Sequence, residues 1–108
     1  MKHFIGVNKY QIGLPKAGYS YLFLNLSDLR EISATDAIAK VETMGYNPQI
    51  RYMETTNGLK TCALLKMMKL EDPFEESPLG DEWATLAEIF GNAARCRTGR
   101  PLEGKKNK

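Results

Sequence analysis

Apolar positions alternate with period two in some stretches of the chain and recur every third or fourth residue in others. The two periods predict strands and helices respectively. Over 3–12, Ile5 and Val7 fall on one side and Phe4, Tyr10 and Ile12 on the other, a strand weakened by Gly6. The run Gly13-Leu14-Pro15-Lys16-Ala17-Gly18 predicts a turn. From Tyr19 to Leu26 the alternation resumes, with Ser20, Leu22, Leu24 and Leu26 on one side and Tyr19, Tyr21, Phe23 and Asn25 on the other. The expected product is a hairpin with one aliphatic face and one aromatic face.

A second hairpin is predicted over 49–70. Asn57-Gly58 separates two β-prone runs, and both residue types tolerate the positive φ that a tight hairpin turn requires. Placing these two at the turn centre pairs Thr56 with Leu59, Glu54 with Thr61, Tyr52 with Ala63 and Ile50 with Leu65. Strand alternation then puts Ile50, Tyr52, Ala63, Leu65 and Met67 on one face. Arg51, Met53, Lys60, Cys62, Leu64, Lys66 and Met68 fall on the other. If the apolar sets of both hairpins share a face, Arg51, Lys60 and Lys66 join the aromatic residues opposite. A bulge or a slip by one residue separates the two sets.

Helical spacing appears twice. Ser33 and Asp36 form an N-terminal capping pattern, Ile32 stands in the staple position facing Ala37, and Ala34, Ala37, Ile38, Val41 and Met44 make the apolar stripe. Gly45 is the expected stop, and Asn47-Pro48 returns the chain to extended geometry. Asp81 is the expected N-cap of a second helix running from Glu82 to about Arg95, with Trp83, Leu86, Ala87, Phe90 and Ala94 as its stripe. Gly91 inside it costs about 1 kcal/mol relative to alanine and offers a place to break.

These elements predict an α+β fold in the order β-β-α-β-β-α, built on a four-stranded, mainly antiparallel sheet. The first helix covers the aliphatic face, and the second joins it or crosses to the other face. One domain is expected over 1–96, with 71–80 as an acidic linker and 97–108 as a basic flexible tail.

Charge is segregated along the chain, although the net value is only +2. Residues 1–70 hold nine Lys/Arg and five Asp/Glu. Residues 71–94 hold seven acids and no Lys or Arg, and residues 95–108 hold six Lys/Arg and one acid. A basic tail is a common footprint of nucleic-acid binding, and it is also a common solubility device. The two cysteines, Cys62 and Cys96, are too few for a disulfide framework and are expected to be free thiols in a reducing compartment. With no apolar run of membrane-spanning length and no signal-peptide pattern at the start, a cytoplasmic protein is expected.

Candidate chemistry is sparse. The one histidine is His3, Cys62 has apolar neighbours and no nearby histidine, and the acids of 71–82 lack the spacing of a calcium loop. The expectation is a protein without enzymatic activity, cofactor or metal. Aromatic and basic residues on one open sheet face can stack unpaired bases and neutralise phosphates. The expected function is therefore binding of nucleic acid, single strands in preference. The candidate residues are Lys9, Tyr10, Lys16, Tyr19, Tyr21, Phe23, Arg51, Lys60, Lys66, Arg95, Arg97, Arg100, Lys105 and Lys106. Aromatics also favour strands for structural reasons, and a helix or a second copy in a homodimer would cover them. The alternative is an inhibitor or adaptor of the kind carried by phages and mobile elements. It would engage a basic partner surface through 71–88, with Glu71, Asp72, Phe74, Glu75, Glu76 and Trp83.

Overall fold

The computed structural model describes residues 18–55, 57–72 and 78–98. The strand expected over 3–12 and the turn after it lie outside the described residues, as do 73–77 and the chain after Thr98. The described elements are β1 (Tyr19–Asn25), a 3-10 turn (Leu26–Asp28), α1 (Ala34–Thr43), β2 (Gln49–Thr55), β3 (Gly58–Lys69), α2 (Gly80–Phe90), a second 3-10 turn (Gly91–Ala93) and β4 (Ala94–Thr98). The four strands form one sheet in the order β2-β3-β1-β4, and every neighbouring pair is antiparallel. Two strand-helix-strand units joined by a hairpin give the split β-α-β connectivity, an arrangement that hosts many unrelated functions.

Both helices pack on the same sheet face. Ala37 and Val41 of α1 and Leu86 of α2 are buried with Leu22, Leu24, Ile50, Ala63, Leu65 and Ala94 of the strands. Each fully buried aliphatic side chain contributes roughly 1.5–3 kcal/mol, so this layer holds the fold together. The aliphatic alternation of β1 therefore faces the helices, as expected, and α2 joins α1 there instead of crossing over.

Helix α1 follows its sequence signals closely. The Ser33 Oγ accepts a hydrogen bond from the Asp36 backbone N–H at 3.1 Å. At the other end the Gly45 N–H donates to the Glu42 carbonyl at 3.0 Å and the Tyr46 N–H to the Val41 carbonyl at 3.2 Å. With Gly45 at φ +101, this is a Schellman stop.

Helix α2 differs from expectation at both ends. It starts at Gly80, with Leu79 in the capping position and no side-chain cap, so Asp81 lies in the first turn, where its charge favours the helix dipole. It ends at Phe90 because Gly91 adopts φ +63. The helix does not reach Arg95. Residues 94–98, read from the sequence as helix end and tail, form β4 and pair along β1, Tyr21 opposite Arg97 and Phe23 opposite Arg95.

The β2–β3 hairpin forms, but in another register. Glu54 pairs with Leu59, Tyr52 with Thr61 and Ile50 with Ala63, two residues away from the expected partners. Thr55 pairs with Gly58, so Gly58 begins β3 instead of sitting at the turn centre. An even shift leaves each side chain on its original face, and the two expected sets survive over most of the hairpin. Past Leu65 they do not. The pairing of β1 with β3 shifts between Leu22 and Phe23, inserting one extra residue into β3. Beyond this bulge Met67 stands opposite Tyr21 and Met68 opposite Ser20. Met67 and Met68 have exchanged faces relative to the sequence expectation.

Candidate nucleic-acid interface

The sheet face away from the helices carries Tyr19, Tyr21, Phe23 and Asn25 on the central strand β1. Pairing places Cys62, Leu64, Met67 and Lys69 of β3 beside them, and Arg95 and Arg97 of β4 on the other side. On β2 the same face continues with Gln49, Arg51 and Met53, the last opposite Lys60. Among the described residues, five basic side chains thus occupy strand positions of this face, Arg51, Lys60, Lys69, Arg95 and Arg97, and no acid does.

Lys66 is not among them. The bulge turns it toward the helices, where its Nζ lies 2.9 Å from Glu82 Oε1 of α2. Glu82 also accepts a hydrogen bond from the Tyr46 hydroxyl at 3.2 Å. Desolvation raises the Tyr46 pKa, and the Glu82 charge and hydrogen bond add to the effect. The expected grouping of Lys66 with the aromatic residues fails because one inserted residue inverts the pleat beyond it.

The aromatic rings are not an open platform. Tyr21 is 6% exposed and Phe23 1%, and the two stack on each other with centroids 5.8 Å apart and planes 3° from parallel. With Met53 and Cys62 they form a second small core, against which Tyr19 and Leu64 pack half-buried. Part of the cover is Arg97, whose Nη1 donates to Met53 Sδ at 3.3 Å. No base can stack on Tyr21 or Phe23 in this arrangement, and among the described aromatic residues of this face Tyr19 alone is half-buried and not fully buried.

At the end of β1, Asp28 anchors the basic residues of both neighbouring strands. Its Oδ2 accepts from Asn25 Nδ2 at 2.9 Å and from Arg95 Nη2 at 3.4 Å, while Lys60 Nζ lies 3.9 Å from Oδ1. These pairs are partly solvated, and each contributes about 1 kcal/mol or less. They orient the cations without consuming them.

Beside Asp28 a cleft of about 630 Å³ opens between α2 and the start of β4, lined by Arg30, Trp83, Ala87, Asn92 and Arg95. Trp83 is 40% exposed, and Ile89 on the same helix is 42% exposed. Nothing in the local sequence pattern marks Arg30; only the return of β4 brings it to the same cleft as Arg95.

The other expected site residues are distributed as follows. Glu71 and Asp72 are exposed after β3. Lys9, Tyr10, Lys16, Phe74, Glu75, Glu76, Arg100, Lys105 and Lys106 lie outside the described residues. The two cysteines occupy different strands and opposite faces, Cys62 with Met53 and Phe23, Cys96 against the helix-side core, so the fold keeps their thiols apart. Burial pushes the Cys62 thiol up to about 11, although Arg95 and Arg97 pull the other way. Among the described residues no group of three or more His, Cys, Asp or Glu could hold a metal ion. Nor is any described helix long and apolar enough to cross a membrane.

No family model matches the chain, and no curated protein or solved structure matches it either.

Proposed function

We propose that the protein is a small non-enzymatic nucleic-acid-binding module that holds a phosphate backbone on the sheet face away from the helices. The observation that carries this is the gathering of Arg51, Lys60, Lys69, Arg95 and Arg97 on one face with no acid among the described strand positions. Phosphate neutralisation supplies most of the affinity of such surfaces, and it needs no open ring. The sequence beyond β4 adds Arg100, Lys105, Lys106 and Lys108 against Glu103 alone. Burial of Tyr21 and Phe23 moves the weight from stacking to phosphate contacts, and on this face a preference for single strands rests on Tyr19.

A titration of labelled oligonucleotides at increasing salt tests it. For single strands the logarithm of affinity should fall with the logarithm of salt with a slope of about −0.7 per phosphate contacted. Affinity indifferent to salt, or no binding at low salt, overturns the proposal.

A second reading, a protein-binding inhibitor or adaptor, draws on Trp83 and Ile89, both exposed on α2 together with Asp81 and Glu88. Exposed tryptophan is a frequent anchor of protein interfaces. Reversing Glu71, Asp72, Asp81 and Glu88 to lysine should then abolish capture of a basic polypeptide, and unchanged capture rejects this reading.

A further inference from the structure

We infer that the cleft between α2 and β4 receives one unpaired nucleotide, its base against the Trp83 indole and its phosphate between Arg30 and Arg95. This rests on the nucleic-acid reading and names the place where single strands are distinguished from duplex. Three features carry it.

The volume, about 630 Å³, lies within the roughly 300–1,000 Å³ typical of small-ligand sites. The charge of the lining favours an anion: Arg30 and Arg95 stand against Asp28 alone, and Asp28 is shared among Asn25, Lys60 and Arg95 itself, so the two arginines leave a net positive charge. The cleft is also continuous with the basic face. Arg95 belongs to that face by its pairing with Phe23, while it also lines the cleft. A strand whose phosphates follow Arg97 and Arg95 reaches the cleft at its next step. There Trp83 offers a stacking surface that the buried Tyr21 and Phe23 do not, and the Asn92 amide can donate to and accept from a base edge. A basic partner protein fits the same cleft poorly, because it would meet two arginines.

Trp83 is the one tryptophan of the chain, so its emission reports on the cleft directly. The experiment follows the anisotropy of a labelled oligothymidylate of about 12 nucleotides, within the span of known single-strand sites, together with Trp83 fluorescence in the same titration. The expected result is a rise in anisotropy and a quenching of Trp83 with the same midpoint. Duplex of the same length should raise anisotropy without the quench. Thymidine monophosphate in a parallel titration distinguishes the source: quenching by it marks a site for free nucleotides, and quenching by the oligonucleotide alone marks one for strands.

Trp83→Ala should weaken oligothymidylate at least about fivefold, the low end of a stacked base, with duplex affinity unchanged. If anisotropy rises with no change at Trp83, the cleft assignment is wrong and the basic-face proposal stands. If anisotropy does not rise at all, the nucleic-acid reading itself fails. Quenching by polylysine but not by oligothymidylate overturns both in favour of protein binding.

Discussion

Arg97 Nη1 lies 3.3 Å from Met53 Sδ although the two residues stand on opposite edge strands of the sheet. Four strands at the usual spacing place those edges about 14 Å apart when flat. The pairing adds an offset along the strands, since Arg97 is level with Tyr21 and Met53 with Lys60, beyond the Asn25–Cys62 pair. Only a sheet coiled toward this face brings the two together, and the bulge in β3 increases the local twist that allows it. The coil turns what would be an aromatic platform into a lined trough, with Phe23 and Cys62 at its floor and cations at its edges.

Met53 closes that trough, so Met53→Ala should cost about 2–5 kcal/mol of stability, as expected for a buried methionine. Leu59→Ala, at a residue 57% exposed on the same hairpin, should change stability by less than about 0.5 kcal/mol. Urea unfolding of both variants checks the difference. Equal effects would mean that the contact with Arg97 does not close the face.

Gly91 ends α2 at φ +63 and lets the chain turn into β4. Gly91→Ala meets no steric contact from its surroundings, so its cost is the backbone conformation alone, φ +63 with ψ −135, which side chains other than glycine rarely adopt, about 1–3 kcal/mol. Thermal unfolding measures it. A neutral substitution would indicate that the helix end does not depend on this conformation.

The bulge makes a prediction about binding. Arg95→Ala and Arg97→Ala should each lower oligonucleotide affinity and reduce the salt slope by about one contact. Lys66→Ala should leave both unchanged, because Lys66 faces α2 and pairs with Glu82. That pair is about a third exposed, so its loss should cost at most about 1 kcal/mol in stability. A fall in affinity for the Lys66 variant equal to that of the arginine variants would reject the assignment of faces.

Cys62 links stability to pH. Burial raises its folded pKa to about 11, above the ordinary value of 9.0. Below pH 9 the thiol is protonated folded or unfolded, and its contribution is fully present. As pH rises from 9 toward 11 the unfolded thiol ionises first, and stability is lost through that window. The urea midpoint of the wild type should therefore fall more steeply over this range than that of Cys62→Ala. At pH 8 a thiol reagent should modify Cys96 before Cys62, since Cys62 is buried and Cys96 only partly so. Parallel pH profiles for the two proteins would exclude the effect.

Local rules were enough for much of the fold. The capping bond of Ser33, the positive φ of Gly45 and the alternation of Leu22 and Leu24 against Tyr21 and Phe23 depend on a few neighbouring residues, and all were legible in the chain. The candidate site was less so. Whether Tyr21 and Phe23 are open or covered depends on how far the sheet coils, which is a property of four strands together. The placement of Lys66 depends on one inserted residue in β3, compatible with the same apolar pattern read straight through. β4 was hidden because Ala94 continues the helical stripe of α2. Its Arg95, Cys96 and Arg97 have little strand character until β1 offers an unpaired edge. By itself the sequence determined the α+β class, the paired hairpin and the capped first helix, because these follow from local geometry and hydrophobic period. Only the tertiary structure decided which cations share the trough, since β4's pairing along β1 and the bulge set the strand neighbours that carry them.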